Sequence, residues 1–247
     1  MDKAIVCNPA SDMNIAKVAL LIMIVCITFM IGVFCQPVIK YWRSKILFSV
    51  YPERVVHPDY NFNARRISHF NDLGTNRPIV LLGDSRIDDV EWGEILGRSD
   101  VSNRGIAGDT VNGVGTRLAA SIPSIAKVCV VQVGFNDILH GAPSEHVFSC
   151  YSGLLQDLAQ CSEQIVLLPV IPAGSRYNHV NSAILSLNLM LETYAETQNT
   201  IWLDLNKIYA PDGILIAEYT DDDIHLNGRA TRIMASSLGK LFEELVP

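Results

Sequence analysis

The sequence lacks the cysteine spacing of a zinc site and the basic excess of a nucleic-acid-binding surface. No Cys-x-x-Cys pair occurs among its 6 cysteines, so no metal site is expected. With 19 Lys and Arg against 26 Asp and Glu, the net charge is −7, and no nucleic-acid partner is expected. The cysteines beyond the first 40 residues are Cys129, Cys150 and Cys161, an odd number that does not suggest a disulfide framework. Internal repeats and low-complexity segments are also absent.

One long apolar run lies near the amino terminus, over residues 18–35, without a charge or a proline. About 20 residues cross a hydrocarbon core of about 30 Å, so the run, extended to Ile15, predicts a transmembrane helix over residues 15–35. A secretory signal peptide is the alternative, but no small-x-small cleavage site follows. A buried core helix fits less well, because no part of the run is polar enough to face water. The basic residues on the two sides of the run nearly balance, so they do not decide the orientation, and an extracytoplasmic position for the rest of the chain is slightly favoured.

The remaining chain divides into a polar tail over residues 1–14, a juxtamembrane connector over 36–77 and one domain over 78–247. Within this domain, short apolar runs alternate with segments of helical period. The predicted strands are Ile79–Leu82, Asp100–Asn103, Val128–Val133, Ile165–Val170 and Ile201–Leu205. The predicted helices are Asp88–Gly97, Thr110–Ser121, Ser144–Gln160, Asn178–Thr197 and a last helix capped by Asn227. This alternation implies an α/β domain, with a mostly parallel sheet and helices on both faces.

Small polar islands follow the strands, and a parallel sheet gathers such islands at one edge. Residues 83–85 (Gly-Asp-Ser) follow the first strand, and residues 103–110 follow the second. Residues 134–137 (Gly-Phe-Asn-Asp) follow the third, and residues 222–227 precede the last helix. Taken singly, each island fits an ordinary turn or helix cap. Together they indicate one site.

The residue types of these islands suit nucleophilic catalysis. A serine hydroxyl such as that of Ser85 needs a base to take its proton, and the imidazole of His225 is the candidate base. Asp222, three residues before His225, is the candidate that orients the imidazole. Asp221 and Asp223 are neighbours that the sequence does not exclude from this role.

A negatively charged intermediate would also need hydrogen-bond donors, which form an oxyanion hole. The candidates are the side-chain amide of Asn136 and the backbone N–H groups of Gly108 and Ser85. Glycine at position 108 would let the backbone approach a ligand without a side chain in the way.

The four islands resemble the conserved blocks of the SGNH (GDSL-type) hydrolases, in which serine, glycine, asparagine and histidine come in this order. The match assigns Ser85 as nucleophile, Gly108 and Asn136 as oxyanion donors, and Asp222 with His225 as the Asp-x-x-His pair. It implies a flavodoxin-like three-layer α/β/α sandwich with a five-stranded parallel sheet of order 2-1-3-4-5. It also implies a reaction without metal or cofactor, in which carboxylic esters or thioesters are hydrolysed through an acyl-enzyme.

Two expectations concern the surroundings of the serine. Arg86 stands where the family name has leucine, and we expect a surface salt bridge to Asp88 or Asp89. The alternative is a charge that favours an anionic or sugar-rich substrate. The pocket walls are expected from the loops around residues 139–144 and 171–177.

Three classes of function fit the sequence. The first is a membrane-anchored esterase of short-acyl or acetyl groups on a small molecule, a glycan or a lipid. The second is an acyltransferase that passes the acyl group from the same serine to a sugar hydroxyl. The third is a silent binding module, which the complete set of catalytic residue types disfavours. The sequence leaves the oligomeric state open.

Overall fold

The computed structural model describes residues 60–247, except residues 75 and 123. The predicted tail, the predicted transmembrane helix over residues 15–35 and the first part of the connector lie outside these residues. Within residues 60–247, no helix is long and apolar enough to span a membrane.

Five parallel strands form one sheet at the centre of the described chain. They are β1 (Ile79–Gly83), β2 (Val101–Gly105), β3 (Ala126–Gln132), β4 (Ser162–Leu167) and β5 (Thr200–Trp202). Their order, β2-β1-β3-β4-β5, confirms the predicted topology. Gly83 pairs with Gly105 on one side and with Gln132 on the other, so the first three strands end at the same level. The islands that follow them therefore leave the sheet side by side.

Helices connect the strands and cover both faces of the sheet. They are α1 (Tyr60–Leu73), α2 (Ser85–Asp88), α3 (Trp92–Leu96), α4 (Val111–Thr116), α5 (Leu118–Ser121), α6 (Phe135–Leu139), α7 (Ser144–Cys161), α8 (Asn181–Thr197), α9 (Asn206–Tyr209) and α10 (Gly228–Leu245). Short 3₁₀ segments occur at Ser175–Val180 and Ala217–Tyr219.

Strand β1 is buried along its whole length, as expected for a central strand of a parallel sheet that is covered on both faces. In β1, Val80 and Leu82 join a cluster that includes Tyr151 of α7. Ile79 and Leu81 point the opposite way, into a cluster that includes Phe242 of α10. The core thus consists of two apolar layers separated by the sheet.

The last helix begins as the sequence predicts. The side chain of Asn227 accepts hydrogen bonds from the N–H groups of Arg229 and Ala230, at 3.1 and 3.2 Å. These bonds satisfy donors that have no partner within the helix. This cap fixes where α10 starts, and so where the segment carrying His225 ends.

Helix α1 lies within the segment that the sequence assigned to a connector, where no helix was predicted. Phe70 of α1 is buried, and the guanidinium of Arg66 lies 2.6 Å from the carboxylate of Asp88 in α2. The ring of Phe70 also lies 4.6 Å from the guanidinium carbon of Arg104 in β2. Helix α1 therefore packs on the domain, next to the helix that begins at Ser85.

Candidate active site

Ser85 is the first residue of α2, directly beyond the carboxyl end of β1. The carboxylate of Asp84 caps this short helix and accepts a hydrogen bond from the N–H of Arg86, at 3.0 Å. Gly83 has no room for a side chain, because a Cβ there would collide with the carbonyl group of Gln132 in β3. The sharp turn from strand to helix therefore needs glycine and a capping residue before the serine.

The structure brings Ser85 and His225 together from positions 140 residues apart, with 3.0 Å between Ser85 Oγ and His225 Nε2. The other ring nitrogen, Nδ1, lies 2.6 Å from Oδ2 of Asp222. A carboxylate at Nδ1 requires the proton there, which leaves Nε2 free to accept from the serine. Ser85, His225 and Asp222 thus form one continuous line of hydrogen bonds.

Asp222 holds this segment through both of its carboxylate oxygens. Its Oδ1 accepts from the N–H groups of Ile224 and His225, at 2.9 and 2.7 Å. Partial burial raises the pKa of Asp222, but the hydrogen bonds from His225 and Ile224 lower it to about 2. Asp222 is therefore ionised at neutral pH, and it can stabilise a positive charge on the imidazole.

The neighbouring aspartates face other partners. Asp223 has a φ of 71°. Its backbone carbonyl accepts from the N–H of Gly174, at 2.8 Å, and its carboxylate lies 3.5 Å from Arg176. Asp221 is exposed. Within the described chain, Asp222 is the aspartate of this run that bonds with the His225 ring, as its spacing predicted.

Two of the candidate oxyanion donors, Asn136 and Gly108, lie on segments that touch each other, and the third is the N–H of Ser85. The amide of Asn136, in α6, donates to the carbonyl of Asp109, at 2.9 Å, which places it beside the loop that carries Gly108. Gly108 has a φ of 73°, a conformation that favours glycine. Among the described residues, neither the N–H of Ser85 nor that of Gly108 has an acceptor. The second N–H of Asn136 likewise has none there, so each candidate retains a donor.

A buried ion pair supports the loop of Gly108, and the sequence analysis missed it. Arg117 is 3% exposed, and its Nε lies 2.7 Å from Oδ2 of Asp109. It also donates to the carbonyls of Gly83 and Arg104, at the ends of β1 and β2. The sequence does contain one indication of this ion pair. Arg117 comes three residues after Val114, on the apolar face of the predicted helix over Thr110–Ser121, where a charged residue needs a partner. Arg117 therefore holds the loop of Gly108 at the carboxyl ends of β1 and β2.

The expectation for Arg86 was wrong. Its side chain is buried, and it donates to the carbonyls of Ile171 and Ile224 instead of pairing with Asp88 or Asp89. Asp88 pairs instead with Arg66 of α1. Burial lowers the pKa of Arg86 to about 10, so the guanidinium remains charged at neutral pH.

A groove of about 480 Å³ opens at Ser85 and His225. It runs between α3 and the first turns of α10, and its charged lining residues are Arg86, Asp89, Glu91, Glu94 and Arg232. The loops over residues 139–144 and 171–177, expected to form pocket walls, do not line it. The site is open to solvent, since the side chains of His225 and Asp222 are 42% and 48% exposed.

The model of the GDSL-like Lipase/Acylhydrolase family matches residues 82–233, more than half of the chain. The chain belongs to this family. It is accordingly a carboxylic ester hydrolase, and the match begins one strand residue before the Gly-Asp-Ser turn and includes Gly108, Asn136 and His225.

Solved structures of other proteins share the fold. A GDSL-like lipase from Bacteroides thetaiotaomicron is 18% identical, with a TM-score of 0.63, over 74% of this chain and 97% of that one. An acetyl-xylooligosaccharide esterase from Geobacillus Stearmophilus, solved as a variant, is 16% identical, with a TM-score of 0.56, over 70% and 96%. An acetyl xylan esterase is 21% identical, with a TM-score of 0.54, over 66% and 98%. No curated protein sequence matches the chain.

Proposed function

We propose that this GDSL-family hydrolase is a membrane-anchored serine esterase that removes acetyl or other short acyl groups from a carbohydrate, through an acyl-enzyme. The observation that carries the proposed mechanism is the hydrogen-bonded line from Asp222 through His225 to Ser85, with bonds of 2.6 and 3.0 Å. The first bond lets Asp222 orient the imidazole of His225, and the second is short enough for direct proton transfer from Ser85 to His225.

In the proposed reaction, His225 Nε2 takes the proton of Ser85 while the serine oxygen attacks the ester carbonyl. The tetrahedral intermediate places its negative oxygen on the N–H groups of Ser85, Gly108 and Asn136, and each such donor is typically worth about 3 kcal/mol. His225 then gives the proton to the departing alcohol as the carbon–oxygen bond breaks. A water molecule attacks the acyl-serine by the same route, and the acid leaves.

The charged lining of the groove supports a hydroxyl-rich substrate. Asp89, Glu91 and Glu94 contribute carboxylates within the groove that opens at Ser85, and Arg232 contributes a guanidinium. Such groups hydrogen-bond sugar hydroxyls well, whereas a long acyl chain would displace their water without replacing its hydrogen bonds, which costs free energy. The named activities of the two acetyl-ester structural neighbours agree with a short acyl group on a sugar.

Solvent access favours hydrolysis over acyl transfer. An acyltransferase must keep water away from its acyl-enzyme, whereas the side chains of His225 and Asp222 are nearly half exposed. We therefore propose that water, and not a sugar hydroxyl, accepts the acyl group. A panel of acetylated sugars, with and without free sugar acceptors, tests this. Acetyl transfer to the added sugar in excess over release of acetate would overturn it.

The serine assignment is tested on the 247-residue chain in detergent. Wild type is expected to react with a fluorophosphonate probe and to hydrolyse p-nitrophenyl acetate, and Ser85→Ala is expected to do neither. Ser144→Ala is the matched control, because Ser144 is also the first residue of a helix. It should keep both properties. Labelling or hydrolysis that survives in Ser85→Ala would overturn the assignment.

The membrane anchor is proposed from residues 15–35 alone. The 247-residue chain should stay in the membrane fraction after alkaline carbonate washing and dissolve in detergent, because about 20 apolar residues hold a helix in the bilayer. Release by carbonate would contradict the anchor. A carboxyl-terminal reporter that is active only outside the cytoplasm would test the extracytoplasmic position of the domain.

A further inference from the structure

We propose that Arg86 is a positioning residue that holds the segment of His225 against the nucleophile turn, and so fixes the distance between base and serine. This inference rests on the proposed serine mechanism and goes beyond it. It concerns a residue that follows Ser85 in the chain but whose side chain contacts three other loops of the site.

The first contact joins Arg86 to the segment of the base. Its Nε and Nη2 both donate to the carbonyl oxygen of Ile224, at 3.1 and 2.9 Å. That carbonyl belongs to the peptide that links Ile224 to His225. The side chain next to the nucleophile thus holds the backbone next to the base, across 138 positions of sequence.

The second and third contacts extend the same side chain to two more loops. Nη1 donates to the carbonyl of Ile171, after β4, at 2.8 Å. The guanidinium carbon lies 4.3 Å from the ring centre of Phe135, which precedes the candidate oxyanion donor Asn136. A cation stacked on an aromatic ring and shielded from water is held firmly. Arg86 therefore links the base, the oxyanion loop and the loop after β4.

The chemistry of the site requires arginine for all these contacts. Arg86 is 4% exposed, so the carbonyls of Ile171 and Ile224 would lose their donors if the guanidinium were removed. The planar guanidinium presents N–H groups in several fixed directions, whereas the ammonium of lysine is a point charge on a flexible chain. Lysine could keep the charge and one carbonyl contact, and leucine could keep neither.

A second link holds the same two loops together, which supports a need for fixed geometry there. The carbonyl of Asp223 accepts from the N–H of Gly174, at 2.8 Å, and a Cβ on Gly174 would collide with the Asp223 carboxylate. The segment from Asp222 to His225 is thus attached to the loop after β4 at Gly174 and, through Arg86, at Ile171.

The test uses the 247-residue chain as wild type, Arg86→Leu, Arg86→Lys and the control Arg104→Leu. Arg104 is also a buried arginine that donates to backbone carbonyls, those of Ser121 and Asn103, and it lies against the Phe70 ring. Its contacts do not include the His225 segment. The measurements are kcat and KM for p-nitrophenyl acetate, the melting temperature, and backbone hydrogen exchange of the peptide over residues 219–226.

Arg86→Leu is expected to lower kcat by about 100-fold with little change in KM, because a displacement of about 1 Å in a catalytic group has an effect of this size. Hydrogen exchange in residues 219–226 should be faster in Arg86→Leu than in wild type, and the increase should be larger there than in the rest of the domain. Arg86→Lys should restore part of kcat. Arg104→Leu should lower the melting temperature while the exchange of residues 219–226, measured well below that temperature, stays at the wild-type level.

Equal kcat and equal exchange in wild type and Arg86→Leu would overturn the inference. If Arg86→Leu does not fold, Arg86→Lys decides in its place, and wild-type kcat and exchange in that variant count against the inference. Failure of the serine mechanism has a different signature, namely activity that survives in Ser85→Ala. Hydrogen exchange does not depend on turnover, so the positional claim is tested in either case.

Discussion

At the scale of single residues, Asp222 determines the orientation of the proposed base. Replacing it with asparagine would keep the size of the side chain but present either an amide N–H or an uncharged oxygen to His225 Nδ1, which lies 2.6 Å away. We predict that Asp222→Asn lowers kcat by up to about 10⁴-fold, because the wrong imidazole tautomer then faces Ser85. Steady-state kinetics on p-nitrophenyl acetate measures this. Asp221→Asn, at an exposed neighbour, is the control and should match wild type. A loss of less than about tenfold in Asp222→Asn would contradict the assigned role.

Asp84 makes a different prediction, about stability. Burial raises its pKa from 3.8 to about 6, although the charge of Arg86 lowers it in part. Between these two values the unfolded chain is ionised while the folded protein retains the proton, so stability is lost as pH rises from about 4 to about 6. Above that range the loss is complete and constant.

We therefore predict that Asp84→Asn, which keeps a capping oxygen for the N–H of Arg86, lacks this loss. Its advantage over wild type in free energy of unfolding should grow between pH 4 and pH 6.5, by roughly 3 kcal/mol. Urea denaturation at several pH values checks this. The exposed Asp212→Asn variant controls for a general effect of charge. A difference between Asp84→Asn and wild type that stays constant with pH would show that Asp84 ionises normally in the folded protein.

The sequence was sufficient for the residues whose environment is local. Asp222 and His225 lie three positions apart on one turn, and Ser85 follows a strand directly, so their spacing, together with the resemblance to the SGNH hydrolases, was enough to propose them as partners. Arg86 was predicted wrongly for the opposite reason. Its acceptors are backbone carbonyls, 85 and 138 residues away, and every residue type carries such a group. The carboxylate of Asp88, two positions from Arg86, was an expected partner, but it pairs with Arg66 of α1, a helix that was not predicted.

At the scale of elements, the junction of β2 with α2 sets the position of the nucleophile helix. Gly105 ends β2, and a Cβ there would collide with the backbone of Ile87 and Asp88 in α2. Backbone atoms cannot rotate away as a side chain can, so α2 would have to move as a unit. This close contact explains why a glycine ends the strand.

We predict that Gly105→Ala lowers both the melting temperature and kcat, because α2 begins with Ser85. Overpacking of this kind typically destabilises by about 1–3 kcal/mol. Gly115→Ala is the matched control, since Gly115 lies within α4 with no other atoms near its added methyl group. That change should raise stability by up to about 1 kcal/mol, through helix propensity. If both variants melt at the wild-type temperature, the β2–α2 contact does not constrain the helix.

The existence of the five strands and of the long helices α7, α8 and α10 was predictable, and the ends of the elements were less so. Strand β4 was predicted to reach Val170 but ends at Leu167, two residues before Pro169, which has no N–H for a neighbouring strand. The helix predicted over Asp88–Gly97 is interrupted. The chain leaves α2 after Asp88, turns at residues 89–91 and continues as α3, whose first residue, Trp92, is buried in the core. Apolar periodicity reports burial, and it does not show where the chain changes direction.

At the scale of the whole molecule, the folded unit begins before the family match. The match starts at residue 82, whereas α1 ends at Leu73. Phe70 of α1 is 4% exposed, and its ring lies 5.2, 4.6 and 5.8 Å from the guanidinium carbons of Arg66, Arg104 and Arg117. A single aromatic ring thus contacts cations from α1, from β2 and from the segment between α4 and α5.

This arrangement connects α1 with the candidate site. Arg117 bonds with the carboxylate of Asp109, and the carbonyl of Asp109 accepts from the amide of Asn136. The ring of Phe70 therefore supports a chain of contacts that ends at a proposed oxyanion donor. A segment that the sequence suggested as a connector instead completes the packing behind the loop of Gly108.

We predict that Phe70→Ala lowers the free energy of unfolding by roughly 3–5 kcal/mol, because it empties a buried aromatic site. It should also lower kcat, since Arg117 loses the ring that it packs against and the loop of Asp109 loosens. Thermal and urea denaturation measure the first effect, and esterase kinetics below the melting temperature measure the second. His69→Ala, at the exposed neighbouring position of α1, should change neither property. Wild-type stability in Phe70→Ala would mean that α1 lies on the domain without contributing to its fold, and a loss of stability with unchanged kcat would confine its contribution to folding.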